Sequence, residues 1–156
     1  IIAAVNGAAS GLGCDLALAC DFVMAAPPAS FSMAYLKRGL IPDGGGLYFL
    51  PRRVGISRAK ELIFSARTVV ADEAEKIGLV DRVTNAEGLV RDAAKWAENL
   101  SFGPVSAIAL SKSILNRSVD LPLETVFALG AEAQSICYAS DEHRDAVTAF
   151  LDKPTS

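Results

Sequence analysis

The sequence predicts an α/β fold in which short strands and glycine-rich turns come first and helices alone follow. Two apolar runs, residues 1–5 and 21–25, are too short for helices and are typical of buried parallel strands. Two glycine-rich turns, residues 7–13 and 44–46, each precede a helical pattern. From residue 57 onward the apolar residues recur at helical spacing.

The first elements form a βαβ unit. Asn6-Gly7 ends the first strand, helical spacing begins near Leu12, and Pro27-Pro28 ends the second strand. A strand, a turn, a helix and a further strand in this order favour a parallel sheet with a crossover helix.

Capping residues and breakers divide the rest of the chain into short elements. The predicted elements are an extended piece at residues 31–33, a helix limited by Pro51, helices from Ser57 to Ser65 and from Asp72 to Gly78, a strand at residues 80–83, a helix over residues 89–100, helices opened by Pro104 and Pro122, and a last helix capped by Asp141. No linker or repeat interrupts this pattern, so one domain is expected from 156 residues.

The composition limits the classes of protein to which this chain can belong. The net charge of −3, without a concentrated basic face, argues against nucleic acid as a partner. No run approaches 18 apolar residues, so no membrane span is expected. The three cysteines lack metal-ligand spacing and favour a reduced, cytoplasmic location without a metal site. The 51% hydrophobic content suggests that part of the surface is covered in a homo-oligomer.

The stretch Asn6–Gly13 is a glycine-rich turn between a strand and a helix. Backbone N–H groups at a helix start attract negative charge, so the turn can hold an anion. One interpretation is the pyrophosphate of a dinucleotide, although Tyr35 is followed by Lys37 and not by a lysine four residues on. Another is an oxyanion hole with the Leu12 N–H as donor. The third is a turn whose glycines serve close packing.

Two aspartates flank these turns. Asp15 follows the first turn among apolar neighbours, which suits either an acid or base group or a first-turn helix stabiliser. Asp43 stands between Pro42 and three glycines, which suits either a rigidly held carboxylate at a ligand or an ordinary turn residue. The lone histidine, His143, is interpreted as exposed or interfacial. The two turns are expected to face each other across a cavity.

These residues together resemble the crotonase superfamily, the enoyl-CoA hydratase/isomerase family. The segments that carry the resemblance are residues 2–7, 11–21 and 39–45, Phe31, residues 50–55 and 71–80, and residues 141–150. The ordered series covers nearly the whole chain and is more specific than any single motif.

The resemblance implies a crotonase-like ββα spiral followed by an all-helical C-terminal region. Residues 1–83 would be the C-terminal portion of the spiral core, with active-site loops. Residues 84–156 would be a helical trimerisation region, in a trimer or hexamer. About a hundred N-terminal residues of the usual domain would be missing, together with the second oxyanion donor and much of the CoA-binding loop.

The resemblance also implies roles for individual residues. Asp15 matches the first glutamate of hydratases, whereas Tyr35 stands at their second and is a poor base at neutral pH. Asp43 matches the acidic residue of certain isomerases. The expected function is therefore an acyl-CoA isomerase that shifts a proton through a thioester enolate, with Asp43, Asp15 and the Leu12 N–H as catalytic groups. Gly11, Gly13, Tyr35 and Pro42 would bind the substrate.

Three classes remain open at this point. They are an acyl-CoA isomerase or a hydratase that adds water to 2-enoyl-CoA, an NAD(P)-dependent short-chain dehydrogenase, and a non-catalytic crotonase-like binding protein. In the first class CoA is part of the substrate, and neither a metal nor a redox cofactor is expected.

Overall fold

A computed structural model describes residues 1–152. The chain divides into a compact unit of Ile1–Ala97 and a second unit that begins at Glu98. In the first unit the strands are β1 (Ile2–Val5), β2 (Ala8–Ser10), β3 (Phe22–Ala25), β4 (Ser30–Ser32), β5 (Val69–Val70) and β6 (Arg82–Val83). The helices are α1 (Leu12–Leu18), α2 (Gly46–Val54), α3 (Ile56–Ser65) and α4 (Ala71–Lys76), with a 3₁₀ helix at Ala34–Arg38; α5 (Leu89–Ser101) begins in this unit and ends in the second.

The strands form two small sheets. In the first, β1, β3 and β6 are parallel, with Ile2 opposite Phe22 and Met24 opposite Arg82. In the second, β2 lies parallel to β4, with Ala9 opposite Phe31, and β5 is antiparallel to β4. The order strand, strand, helix therefore occurs twice in succession. Each strand of the second repeat lies beside the matching strand of the first, β3 beside β1 and β4 beside β2. This arrangement agrees with the predicted α/β fold.

Small aliphatic side chains build the core of the first unit. Its largest fully buried side chains include Phe31, Leu18, Leu50, Leu79 and Val23. A smaller cluster joins β3 to α5, where the rings of Phe22 and Trp96 lie 4.7 Å apart. Close helix contact with the sheet is possible because alanines occupy many of the facing positions.

Several element boundaries differ from the predicted ones. The sequence analysis missed β2, β5 and the 3₁₀ helix, and Ser57 lies inside α3, whose N-cap is Gly55. Pro51 does not end α2, which continues to Val54. Arg53 explains the extension, because its guanidinium pairs with Asp81 at 3.1 Å and also donates to backbone carbonyls. These contacts hold the last turn of α2 in place after the proline.

The second unit contains helices α6 (Val105–Ser118), α7 (Leu123–Tyr138) and α8 (Asp141–Leu151). Pro104 and Pro122 precede α6 and α7 as predicted. The N-cap of α8 is Ser140, whose hydroxyl accepts the His143 N–H, and not Asp141. Among the described residues of this unit, α6, α7 and α8 contain no buried residue.

Candidate active site

The first glycine turn forms a sharp corner at the start of α1. Gly11 has a φ of 53°, in the left-handed region that favours glycine, and its N–H donates to the Ser32 carbonyl at 2.9 Å. Helix α1 begins at the next residue, Leu12, where helix N–H groups lack partners within the helix. This corner can therefore offer backbone donors to a developing negative charge.

Asp15 lies behind this corner and is completely buried. Its Oδ2 accepts a hydrogen bond from the Tyr35 hydroxyl at 2.7 Å. Its Oδ1 is buried without a hydrogen-bond partner among residues 1–152. A buried carboxylate with one oxygen unpaired is unfavourable unless its surroundings compensate, so the residues that enclose it are informative.

The second glycine turn closes directly over Asp15. A Cβ added to Gly44 would lie 2.6 Å from both Asp15 Oδ2 and Leu12 Cδ1. A Cβ added to Gly46 would collide with Asp15 Oδ1 and lie 2.9 Å from Pro42 Cβ. Gly46 is also the first residue of α2, so the positive end of that helix faces the carboxylate. The two turns thus meet at Asp15.

Negative charge dominates the electrostatics of the cluster formed by Cys14, Asp15, Tyr35 and Asp43. Burial, the hydrogen bond to Asp15 and the charges of Asp15 and Asp43 raise the pKa of the Tyr35 hydroxyl above its ordinary value. Burial and the Asp15 charge raise the pKa of the Cys14 thiol to about 12. Both groups are therefore neutral at physiological pH, and neither can serve as a base there.

Asp43 lies at the surface of the second turn. It is exposed, its N–H donates to the Ile41 carbonyl at 2.9 Å, and its charge acts on Tyr35. Among residues 1–152 its side chain has no hydrogen-bond partner. An accessible carboxylate next to a rigid turn is what a base that meets a ligand requires. The roles assigned to Asp43 and Asp15 remain predictions.

The structure brings most of the predicted site residues together. Gly11 lies beside the Tyr35 ring, at 3.8 Å from an added Cβ, and Pro42 is buried against Gly46. Gly13, in the first turn of α1, faces open space within the described part of the chain. His143 belongs to α8, where its ring packs edge-on against Tyr138 with centroids 5.1 Å apart.

Sequence reasoning missed the hydrogen bond between Tyr35 and Asp15 and the contacts of Gly44 and Gly46. The run of three glycines after Asp43 was the available signal, because such a run allows close approach of the backbone to another group. The partner of that approach could not be identified, since Asp15 lies about thirty residues earlier in the chain.

The cavity expected between the two turns is not enclosed in this structure. A cavity of about 10 Å³ lies beside the cluster, lined by Cys14 and mainly apolar side chains, and Asp15, Tyr35 and Asp43 do not line it. This volume is at the lower limit for one water molecule. A ligand of any size would have to meet the open surface at the two turns.

Within residues 1–152 no three His, Cys, Asp or Glu side chains are grouped so that they could hold a metal ion. No helix in that range is long and apolar enough to cross a membrane.

Comparison with known proteins places this geometry in a wider context. The chain is 39% identical over 153 residues to a short-chain-enoyl-CoA hydratase of Clostridium acetobutylicum, covering 98% of this chain and 59% of that protein. It is 38% identical over 153 residues to a 1,2-epoxyphenylacetyl-CoA isomerase of Escherichia coli, covering 98% of this chain and 58% of that protein. The chain thus spans less than two thirds of the length of these relatives.

A solved structure shares the fold of this chain. An enoyl-CoA hydratase/isomerase from Cupriavidus metallidurans superposes with a TM-score of 0.92 at 48% identity, over 96% of this chain and 57% of that one. Hydratase is the commoner name among the relatives, so they do not favour the expected preference for an isomerase.

A family model settles the relationship that the motifs suggested. The model described as enoyl-CoA hydratase/isomerase matches residues 1–156. The dehydrogenase interpretation of the first glycine turn is therefore not favoured. The glycine corner before α1, the buried Asp15 and the turn that holds Asp43 accordingly belong to a member of the enoyl-CoA hydratase/isomerase family.

Proposed function

We propose that the complete protein acts on an acyl-CoA thioester and moves a proton next to its carbonyl group. Removing that proton places negative charge on the thioester oxygen, and the Leu12 N–H would bind this enolate oxygen at the start of α1. Membership of the family supports the substrate class. Gly11, Gly13, Tyr35 and Pro42 would shape the surface that meets the substrate.

Asp43 is the proposed base. It is accessible, whereas Asp15 is completely buried and Tyr35 holds its proton at neutral pH. One carboxylate that reaches two carbons of the acyl chain can accept a proton from one and return it to the other, which is an isomerisation. Asp15 would orient the reacting groups or assist the proton transfer. This chemistry requires neither a metal nor a redox cofactor, and CoA is part of the substrate.

The observation that carries this proposal is the hydrogen bond from the Tyr35 hydroxyl to Asp15. A hydratase of the paired-carboxylate kind needs two groups that exchange protons near neutral pH, one to activate water and one to protonate carbon. A neutral tyrosine bonded to a buried aspartate does not form such a pair. We therefore favour isomerisation over water addition.

The proposal also gives a role to each of two parts of the chain. Residues 1–83 would form the C-terminal portion of the spiral core with its active-site loops, and residues 84–156 a helical region that mediates trimerisation. Support comes from the helices α6, α7 and α8, which carry many exposed apolar side chains, including Phe127 and Leu115. Exposed apolar surface of this extent is typical of an interface between subunits.

Replacing Asp43 tests the proposal directly. In the complete protein, Asp43→Asn should reduce isomerisation by about 100- to 10,000-fold, the usual contribution of a positioned base, without unfolding. The matched control is Asp72→Asn, which alters an exposed aspartate in the first turn of α4. Turnover of 3-enoyl-CoA, 2-enoyl-CoA and epoxyphenylacetyl-CoA should be measured for each variant. Wild-type turnover by Asp43→Asn would refute the assignment.

Hydration of 2-enoyl-CoA is the second candidate, because the names of the relatives favour it. Asp15 and Asp43 would then share the proton transfers. The same assays separate the two candidates, since hydration consumes 2-enoyl-CoA without 3-enoyl-CoA being formed. A protein that is stabilised against heat by CoA esters but turns over none of them would be a binding protein.

A further inference from the structure

The hydrogen bond between Asp15 and Tyr35 can serve the site in two ways. Either Asp15 is the group that meets the substrate and Tyr35 holds it, or Tyr35 meets the substrate and Asp15 holds it. The two arrangements differ in which side chain has a surface that a ligand can reach.

Burial distinguishes the two side chains. Asp15 has no accessible surface, its Oδ2 accepts the Tyr35 O–H, and its Oδ1 faces Gly46 at the first residue of α2. No room remains between Asp15 and the second glycine turn, since an added Cβ at Gly44 or Gly46 would collide with the carboxylate. Asp15 therefore has no oxygen that a substrate carbon could approach in this structure.

Tyr35 has the opposite character. It is half-buried, and its ring lies beside Gly11, the residue that turns the chain into Leu12 and the proposed oxyanion donor. Its hydroxyl proton is directed to Asp15, so the hydroxyl oxygen can only accept further hydrogen bonds, and part of the residue remains accessible. The ring is thus a wall of the corner at which a thioester would lie.

We propose that Asp15 is a positioning residue that acts through Tyr35: it fixes the Tyr35 ring against the Gly11 corner and does not touch the substrate. The inference rests on the proposed function and replaces a general assisting role for Asp15 with a specific one. The charged or titratable groups that act on Tyr35 are Asp15 from α1, Asp43 from the second turn and Cys14.

A double-mutant cycle in the complete protein tests this proposal. Tyr35→Phe removes the hydroxyl, and Asp15→Asn keeps an oxygen that can accept it but removes the charge. If Asp15 acts through Tyr35, each single variant should lower kcat by a similar factor of up to about 100-fold, as expected for a misplaced group, and the double variant should be no worse than either. A much greater loss for Asp15→Asn than for Tyr35→Phe, as for a base, would overturn the proposal.

A titration without substrate gives an independent readout. With ¹³Cζ-labelled tyrosine, the Tyr35 signal is assigned by its loss in Tyr35→Phe. In the wild type it should titrate well above pH 10, and Asp15→Asn should lower its pKa because a neighbouring negative charge is removed. An unchanged Tyr35 pKa in Asp15→Asn would refute the pair. Since no acyl-CoA is present, this result does not depend on whether Asp43 is the base.

Discussion

The two units of the chain differ in how they bury apolar side chains. In the described part of the chain, all the buried residues lie between Ala9 and Trp96, within the first unit. The helices of the second unit are as apolar in sequence as those of the first unit. Even so, Phe127 is 68% exposed and Leu115 is 67% exposed. Helix formation in proteins depends mainly on packing of an apolar face, and α6, α7 and α8 leave much of theirs exposed. Apolar composition therefore does not by itself create a core.

The strongest test of this comparison is a pair of leucine deletions. Leu50→Ala in α2 removes a fully buried side chain and should lower the free energy of unfolding by about 2–5 kcal/mol. Leu115→Ala in α6 should change the stability of the dissociated chain by less than about 0.5 kcal/mol, because that side chain is exposed within the chain. Denaturant unfolding at fixed protein concentration measures both.

The pair would also reveal an interface. If the second unit packs on other subunits, Leu115→Ala should weaken association, and the variant should dissociate at a higher protein concentration than the wild type. Equal losses of stability at all concentrations would mean that α6 has a core of its own, and the comparison would be wrong.

A pair of glycine replacements should give effects of opposite sign in the two units. Gly46→Ala places a methyl group against Asp15 Oδ1 and Pro42 Cβ, and this overpacking should destabilise the protein by about 1–3 kcal/mol. Gly130→Ala, in the interior of α7 where the Cβ meets open space, should stabilise by about 0.5–1 kcal/mol because alanine favours the helix. Thermal unfolding measures both. Stabilisation by Gly46→Ala would show that the second turn does not enclose Asp15.

The smallest expected effect concerns a contact within the second unit. Glu142 of α8 accepts the N–H groups of Val105 and Ser106 at 3.0 and 3.1 Å, at the start of α6. These hydrogen bonds lower the pKa of Glu142 below its ordinary 4.5. The stabilisation is therefore complete above about pH 4.5 and is lost as the pH falls through the lower value of the folded state.

Hydrogen exchange at Val105 and Ser106 measures this effect. Their protection should fall below pH 4.5 in the wild type, and Glu142→Gln should reduce it already at pH 6 and weaken its dependence on pH. The control is Glu132→Gln, a change in α7 at an exposed side chain. Protection at Val105 that persists in Glu142→Gln would show that the start of α6 is held by other contacts.

Local patterns predicted the regular elements well and their tertiary exceptions poorly. Local chain geometry was sufficient to predict three elements, from the apolar run at residues 1–5, from Pro104 and from Pro122. The corresponding elements are present. Pro51 was predicted to end α2 because a proline removes a helix hydrogen bond, but the contacts of Arg53 with Asp81 maintain the helix to Val54. Such contacts join residues 28 positions apart and have no local signature.

The candidate site likewise contains residues that local patterns identified and contacts that they did not. Gly11, Leu12 and Asp43 could be identified from turn chemistry and from the family resemblance, since each is defined by its immediate neighbours in sequence. The burial of Asp15 against Gly44 and Gly46, and its hydrogen bond with Tyr35, could not. These contacts arise because β2 and β4 pair and bring the end of β4 to the start of α1.

The order of strands, glycine turns and helices, the family, and the presence of two aspartates near helix starts could all be derived from the sequence. These depend on residue type and spacing along the chain. Only the folded chain shows which aspartate is accessible, which one accepts a hydrogen bond from Tyr35, and which helices bury their apolar faces. Those properties depend on distances between residues remote in sequence, which pairing of strands and packing of helices establish.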